Sequence, residues 1–444
     1  MADTTPGPMA VSSPGGARAV LVPDPDDTLV AVSLRLATGS RHDPQHASGL
    51  AHVLEHLMFR RARQAGGARY TGGARQAGGG SHSHDVQAAG GYVNAKTSAD
   101  WTKFIHVVPP ELVAMVLDLE IERFTGAAGR FDPGDLEREK EVVLSERHQR
   151  MDGAPYGTAV ERLVAALHPA PSAYHRLPIG LPEHVRAMTV DDCRRFYADH
   201  YVAGRVNVVV AGAVTPAVLD HVTRLLEAFP TGPAGTAGPV SAGQPVVPAQ
   251  AELETALPRA PETIRLPASA PGRPKVYLAL PLPPEGTWAF ECARLAAFFL
   301  GRGMACRLGE RLGRQLGLTA AVAVKTIGRA YGHSVGVIEA TPADGVPPEK
   351  VVAAVETAIA EVVDGALDEH DLQRAKAVYR LGWLSDMDSI DRRSDGLSLT
   401  LQLTGSVDAY LHHDGRIAAV GLADLHDAVR LWHQPPRLVE LVYS

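Results

Sequence analysis

Apolar and polar positions along the chain fall into two periods, and their order repeats once. Residues Ala17 to Val22 and Leu29 to Leu36 predict strands; in the second, Val30, Val32, Leu34 and Leu36 alternate with Ala31, Ser33 and Arg35. The apolar stretch Gly49 to Phe59 predicts a helix. Tyr92 to Ser98 and Trp101 to Val108 predict a hairpin turning at Ala99-Asp100, followed by helices and by a strand over Val206 to Ala211. Residues 229 to 262 are rich in Pro, Gly and Ala, the composition of a linker. Beyond them the order returns: a strand Lys275 to Leu280, a helix Cys292 to Leu300, a hairpin over Leu318 to Ala340, helices, and a last strand Leu438 to Tyr443. This pattern predicts an α+β fold of two homologous α/β sandwich domains, 17–228 and 263–444, each a mostly antiparallel sheet with helices packed on one side.

Within the first predicted helix, His52-Val53-Leu54-Glu55-His56 places two imidazoles one helical turn apart, so both leave the same face and can converge on one metal ion. Glu55, beside them, suits a general base. The chain holds 19 histidines, so spacing alone does not carry this reading. The surroundings do, because leucines and a valine enclose three ionisable side chains, and such groups are rarely buried without a partner or a metal. A catalytic zinc wants a third protein ligand and an open position for water.

The third ligand is sought in Phe131 to Arg147, where Asp132 before Pro133 is a plausible helix start. Glu139 and Glu146 are two turns apart and share a stripe with Val142 and Val143, whereas Glu137 and Glu141 point elsewhere. The chain carries its own control. At an offset of 236 residues, Asp132, Asp135, Leu136, Arg138, Lys140 and Val142 fall on Asp368, Asp371, Leu372, Arg374, Lys376 and Val378, while Glu139 and Glu146 fall on Ala375 and Gly382. The second copy keeps packing and capping residues and lacks the paired carboxylates, which separates scaffold from chemistry.

Composition narrows the classes. With 444 residues, 45% of them hydrophobic, the chain is long enough for two cores without staples. Three cysteines, Cys193, Cys292 and Cys306, have no paired spacing and read as packing residues in a reducing compartment. A formal charge of -7 without a basic block argues against nucleic acid. Met1 to Gly16 shows neither a basic nor an apolar targeting segment, and no apolar run reaches transmembrane length, so a cytoplasmic location without membrane contact is expected.

An H-x-x-E-H motif followed by a distant E-x6-E across two homologous halves resembles the pitrilysin and mitochondrial processing peptidase (insulinase) family, the inverted-motif zinc peptidases. Gly90-Gly91-Tyr92-Val93-Asn94-Ala95-Lys96-Thr97-Ser98 and His175-Arg176-Leu177-Pro178-Ile179-Gly180 extend the resemblance over nearly the whole chain from about residue 17. The resemblance implies one zinc held by His52, His56 and Glu146, with Glu55 activating water and Glu139 supporting from behind. It also implies an extended peptide substrate bound along Asn94 and Ala95 on an edge strand.

Two departures from the family pattern stand out. Ala62 to Gly67 recurs as Ala74 to Gly79, a twelve-residue duplication in an expanded segment that composition reads as a mobile loop. His82 and His84 beside it are read as solvated loop residues rather than rival ligands. In the second half, family members that act alone carry an Arg-x6-Tyr pair; the aligned positions here are Gly313 and Ala320, with Arg314 one place off. The resemblance therefore implies the zinc subunit of a heterodimer whose homologous metal-free partner supplies Arg and Tyr, a homodimer being less favoured. The expected function is a zinc endopeptidase acting on short or unfolded peptides, leader-peptide removal being one task; the alternative is a non-proteolytic core-type subunit of the same fold.

Overall fold

The computed structural model describes residues 7–60, 68–71, 74–77, 82–125, 131–232, 262–266, 273–303, 305–365, 367–433 and 439–443. In chain order the strands are β1 Met9–Ser12, β2 Arg18–Pro23, β3 Val30–Leu36, β4 Ala68–Thr71, β5 Ala74–Ala77, β6 Tyr92–Thr97, β7 Thr102–Val108, β8 Val206–Gly212, β9 Glu262–Leu266, β10 Lys275–Leu282, β11 Thr319–Ile327, β12 Ser334–Pro342 and β13 Val439–Tyr443. The helices are α1 Leu50–Met58, α2 His82–Ala88, α3 Val113–Phe124, α4 Pro133–Arg147, α5 Ala159–Leu167, α6 Pro182–Ala187, α7 Val190–His200, α8 Leu219–Glu227, α9 Trp288–Gly301, α10 Pro348–Val363, α11 Glu369–Met387, α12 Ile390–Thr404, α13 Asp408–Leu411, α14 His413–Ala418 and α15 Leu422–Arg430. Two compact units share them, interleaved in sequence. The first draws on Met1–Glu146, Leu177–Val246 and Asp386–Leu411, the second on Arg147–Arg176, Val247–Ser385 and His412–Ser444.

The first unit is built on a sheet of order β1-β2-β8-β3-β7-β6, antiparallel except where β2 meets β8. On one face Leu34 and Leu36 of β3 and Phe104 of β7 form a core with Leu50, Val53 and Leu54 of α1, Leu117 of α3 and Phe196 of α7. On the other face α12 lays Leu397 and Leu401 against Val209 and Ala211 of β8. The alternation in β3 therefore separates two buried faces. Arg35 is wholly buried: it stacks over the Trp101 ring at 4.2 Å, its Nε donates to Ser398 Oγ at 3.2 Å, and it pairs with Asp395 of α12.

The second unit has the sheet order β11-β12-β10-β13-β9, antiparallel except for β13 beside β9. Its core joins Leu278 and Leu280 of β10 to Leu295 and Phe299 of α9, Val355 of α10, Leu372 of α11 and Val429 of α15. The three cysteines are buried in these interiors and unpaired. No described helix is long and apolar enough to cross a membrane.

The duplicated helices α4 and α11 repeat their contacts. Asp132 Oδ1 accepts from Gly134 N and Asp135 N, and Asp368 Oδ1 from Asp371 N, so each side chain caps its helix. Arg138 pairs with Asp135 as Arg374 does with Asp371. Lys140 Nζ donates to the Arg186 carbonyl at 3.1 Å, and Lys376 Nζ to the Ala418 carbonyl at 2.8 Å. Val142 departs from its expected place on the apolar stripe: it is 47% exposed, while Val143 is fully buried.

Of the expanded segment after α1, the first copy of the duplication, 62–67, and the 229–262 linker from residue 233 to 261 lie outside the described residues. Part of the second copy forms β5, paired antiparallel with β4, and the segment ends in α2 rather than continuing as loop.

Candidate metal centre

Helix α1 begins where the chain turns sharply. Gly49 precedes it with φ +94, a conformation that glycine adopts without strain, and Asp43 accepts from Gly49 N at 2.7 Å and Ala51 N at 2.9 Å, satisfying two of the amides at the helix start. Gly180, which ends the His175 to Gly180 stretch, packs beneath this start so closely that a Cβ there would collide with the Ser48 carbonyl. Leu50, Ala51, Val53, Leu54, Leu57 and Met58 anchor α1 in the core. His52 and His56 remain on its half-open side.

There they meet Glu146, near the end of α4. His52 Nε2 lies 3.7 Å and His56 Nε2 3.8 Å from Glu146 Oε2, and the imidazoles stand edge to face with centroids 4.8 Å apart. One ring nitrogen from each histidine and one carboxylate oxygen thus converge on a common point. Bonds of about 2.0–2.2 Å to a tetrahedral zinc require donors about 3.3–3.5 Å apart, so the donor set fits such an ion after a shift of a few tenths of an ångström.

Glu139 stands behind this group. Its Oε2 lies 3.2 Å from His56 Nδ1, while Arg60 Nε donates to its Oε1 at 2.6 Å. With Nδ1 turned to a carboxylate, Nε2 is left to face the common point. The His56 hydrogen bond, together with Arg60, outweighs burial and holds the Glu139 carboxyl below the usual range. The His56 imidazole is raised: burial opposes its charged form, but Glu139 and the neighbouring carboxylates Glu55 and Glu146 outweigh it.

Glu55, 6% exposed, lies between α1 and β6, where Thr97 Oγ1 donates to its Oε2 at 2.5 Å. Burial pushes its carboxyl above the ordinary value, and the Thr97 hydrogen bond opposes that push. A carboxylate poised in this way is suited to take and return a proton. Thr97 sits within the Gly90 to Ser98 stretch, yet no role was read for it from sequence; nor was one read for Arg60.

Asn94 and Ala95 lie on β6, whose pairing on one side is with β7 and which ends the sheet. Ala95 N donates to Asn94 Oδ1 at 2.9 Å, and Asn94 Nδ2 donates to Tyr92 Oη at 3.0 Å. In the second unit, Gly313 lies in the helical turn Gly309–Gln315 and Ala320 on β11, where it is exposed. Arg314 forms an ion pair with Glu310 at 3.0 Å.

A sequence model of the insulinase family, peptidase family M16, matches residues 18–168, and that of the peptidase M16 inactive domain matches residues 187–379. The chain belongs to the M16 family. An uncharacterized zinc protease of Bacillus subtilis, YmxG, is 29% identical over 209 residues, 47% of this chain and 47% of that protein. A probable mitochondrial-processing peptidase subunit beta of Arabidopsis thaliana is 25% identical over 239 residues, 52% of this chain and 41% of that one. Such alignments span about half the length of these relatives or less. The crystal structure of a protease from Helicobacter pylori shares the fold, with a TM-score of 0.83 at 18% identity over 99% of this M16 chain and 100% of that one.

One expectation fails. His82 is not a solvated loop residue: it lies on α2, 4% exposed, because that helix packs beside β6 and turns His82 toward His106 of β7 and Glu120 of α3. His84, on the same helix, is exposed. Burial pushes the His106 imidazole down to about 3.

Proposed function

We propose that this M16 chain is a zinc-dependent endopeptidase subunit that hydrolyses short or unfolded peptides. The observation that carries the reading is the convergence of His52 Nε2, His56 Nε2 and Glu146 Oε2 beside a buried, proton-poised Glu55. These three residues would hold the ion, with Glu139 and Arg60 fixing His56. Bound there, zinc would polarise the scissile carbonyl and acidify the attacking water. Glu55 accepts the proton of that water and returns it to the departing amine, so the bond is cut without a covalent acyl intermediate. The outer edge of β6 at Asn94 and Ala95 aligns the substrate as an added strand, leaving side chains to set specificity.

A related metal-free subunit closes the chamber and supplies the Arg and Tyr that Gly313 and Ala320 do not. An oxyanion donor is worth about 3–4 kcal/mol, so the chain alone is expected to be a feeble peptidase. Trimming a leader from a precursor peptide, in the cytoplasm, is the task proposed. The alternative, a non-proteolytic core-type subunit, has no use for an intact donor set with a buried base.

Copurified with such a partner, the chain should cleave unstructured peptides in a zinc-dependent manner, and Glu55→Gln should lower kcat about 10²–10⁴-fold while zinc content stays unchanged. Full activity in Glu55→Gln would overturn the mechanism. A purified chain that binds no zinc would favour the scaffold reading.

A further inference from the structure

We propose that His82, His106 and Glu120 form a second, internal site for a divalent transition-metal ion, of the zinc class, separate from the group on α1 and α4. Three elements of the first unit bring them together: α2 provides His82, β7 provides His106 and α3 provides Glu120. His82 Nε2 lies 3.1 Å and His106 Nε2 3.2 Å from Glu120 Oε1, and the two ring nitrogens are 3.2 Å apart. These edges make a nearly equilateral triangle. Its size is close to the donor spacing of about 3.3–3.5 Å around a tetrahedral ion bound by nitrogen and oxygen.

The directions matter as much as the distances. All three side chains are buried, with 5%, 1% and 0% of their side-chain surface exposed. Neither oxygen of Glu120 accepts an aligned hydrogen bond, although two imidazole nitrogens crowd one of them. A buried carboxylate without aligned donors is strongly unfavourable, and the two ring nitrogens, in hydrogen-bond contact with each other, cannot both present lone pairs to that oxygen without repulsion. An ion at the centre of the triangle turns both problems into bonds.

Arg123 is the rival cation. Its Nη2 lies 3.1 Å from Glu120 Oε1, also without hydrogen-bond alignment, and its guanidinium is held between the Phe59 and Phe104 rings at 4.4 and 4.5 Å. It balances one negative charge but leaves the two ring nitrogens facing each other and the carboxylate. Its positive charge beside the site implies weaker metal affinity than at the centre formed by His52, His56 and Glu146, which is ringed by Glu55 and Glu139 as well. The ion's role would be structural. It would pin α2, where the expanded segment returns to the fold, to the sheet and to the C-terminal end of α1 at Phe59, whose ring packs edge-on against His82.

The test uses the full chain with His52→Gln and His56→Gln, which empties the first group and leaves the second untouched. After incubation with zinc sulfate and desalting, elemental analysis should find about one zinc per chain. Adding His106→Gln should reduce this to none, and wild type should hold about two. X-ray absorption of the singly loaded chain should show two imidazoles and an oxygen donor. A zinc-free double variant would overturn the proposal and leave Arg123 as the cluster's sole cation. Zinc that persists after His106→Gln would overturn it equally, assigning the ion to a surface group such as Asp368, His370 and Asp371. Neither result touches the Glu55→Gln test of peptidase activity.

Discussion

Thr97 decides what kind of base Glu55 is. Burial raises the Glu55 carboxyl, and the hydroxyl that donates to it is the largest of the restraints on that shift, ahead of His56. Thr97→Val, nearly the same shape, removes the donor. The acidic limb of the kcat/KM profile should then move to higher pH, with activity at neutral pH falling about tenfold, the worth of one hydrogen bond to a charged group. A pH series on both proteins reads this directly. His168 offers a separate residue-level check on stability. Burial, then the nearby Arg329 and His333, push its imidazole from 6.5 down to about 4. The unfolded chain takes up a proton near pH 6.5 that the native chain refuses until about pH 4. Its contribution is therefore intact above pH 6.5 and lost as pH falls toward 4, by up to about 3 kcal/mol, measurable as a falling denaturant midpoint that His168→Gln flattens.

At the level of elements, the motif helix and its carboxylate helix were legible because their signals are local. A five-residue pattern puts two imidazoles on one side of α1, and the internal comparison of α4 with α11 marked Glu139 and Glu146 as the residues that packing does not require. The same comparison holds in three dimensions: Asp caps, Arg–Asp pairs and Lys–carbonyl bonds recur in both copies. The edge strand β6 is where the peptide-binding reading can be tested. Because Ala95 N is turned to its neighbour's side chain, Ala95→Pro removes a donor from this edge strand at the cost of that local bond. Stability should change by less than about 1 kcal/mol while KM rises about tenfold with kcat nearly constant. What escaped sequence reading at this scale is α2. Its seven residues follow a Gly-rich duplication whose composition speaks for loop, and nothing in the spacing of His82, His106 and Glu120 shows that they meet.

For the whole molecule, the informative feature is the return of residues 386–411 to the first unit. Arg35, read as the polar side of an alternating strand, is buried against Asp395 and Ser398 of a helix more than three hundred residues away. Asp395→Ala strips that guanidinium, and Lys103 beside it, of their carboxylate. Removal of one partner from a buried pair costs about 3–5 kcal/mol, and the partial exposure of Asp395 puts the expected loss near the lower end, about 3 kcal/mol by guanidinium unfolding. A fragment ending near residue 228 should be insoluble or unstable for the same reason, since Val209 and Ala211 would face water.

By itself the sequence determined the two-period alternation of strands and helices, the repeated order of the halves, and the pairing of imidazoles within one turn, since each follows from backbone geometry over a few residues. Only the tertiary structure decided that Glu146 reaches those imidazoles, that Thr97 restrains Glu55, that α12 covers the far face of β3, and that His82 is buried beside His106 and Glu120. These depend on side chains brought together across long separations by core packing, and no local period records which distant surface a residue will meet.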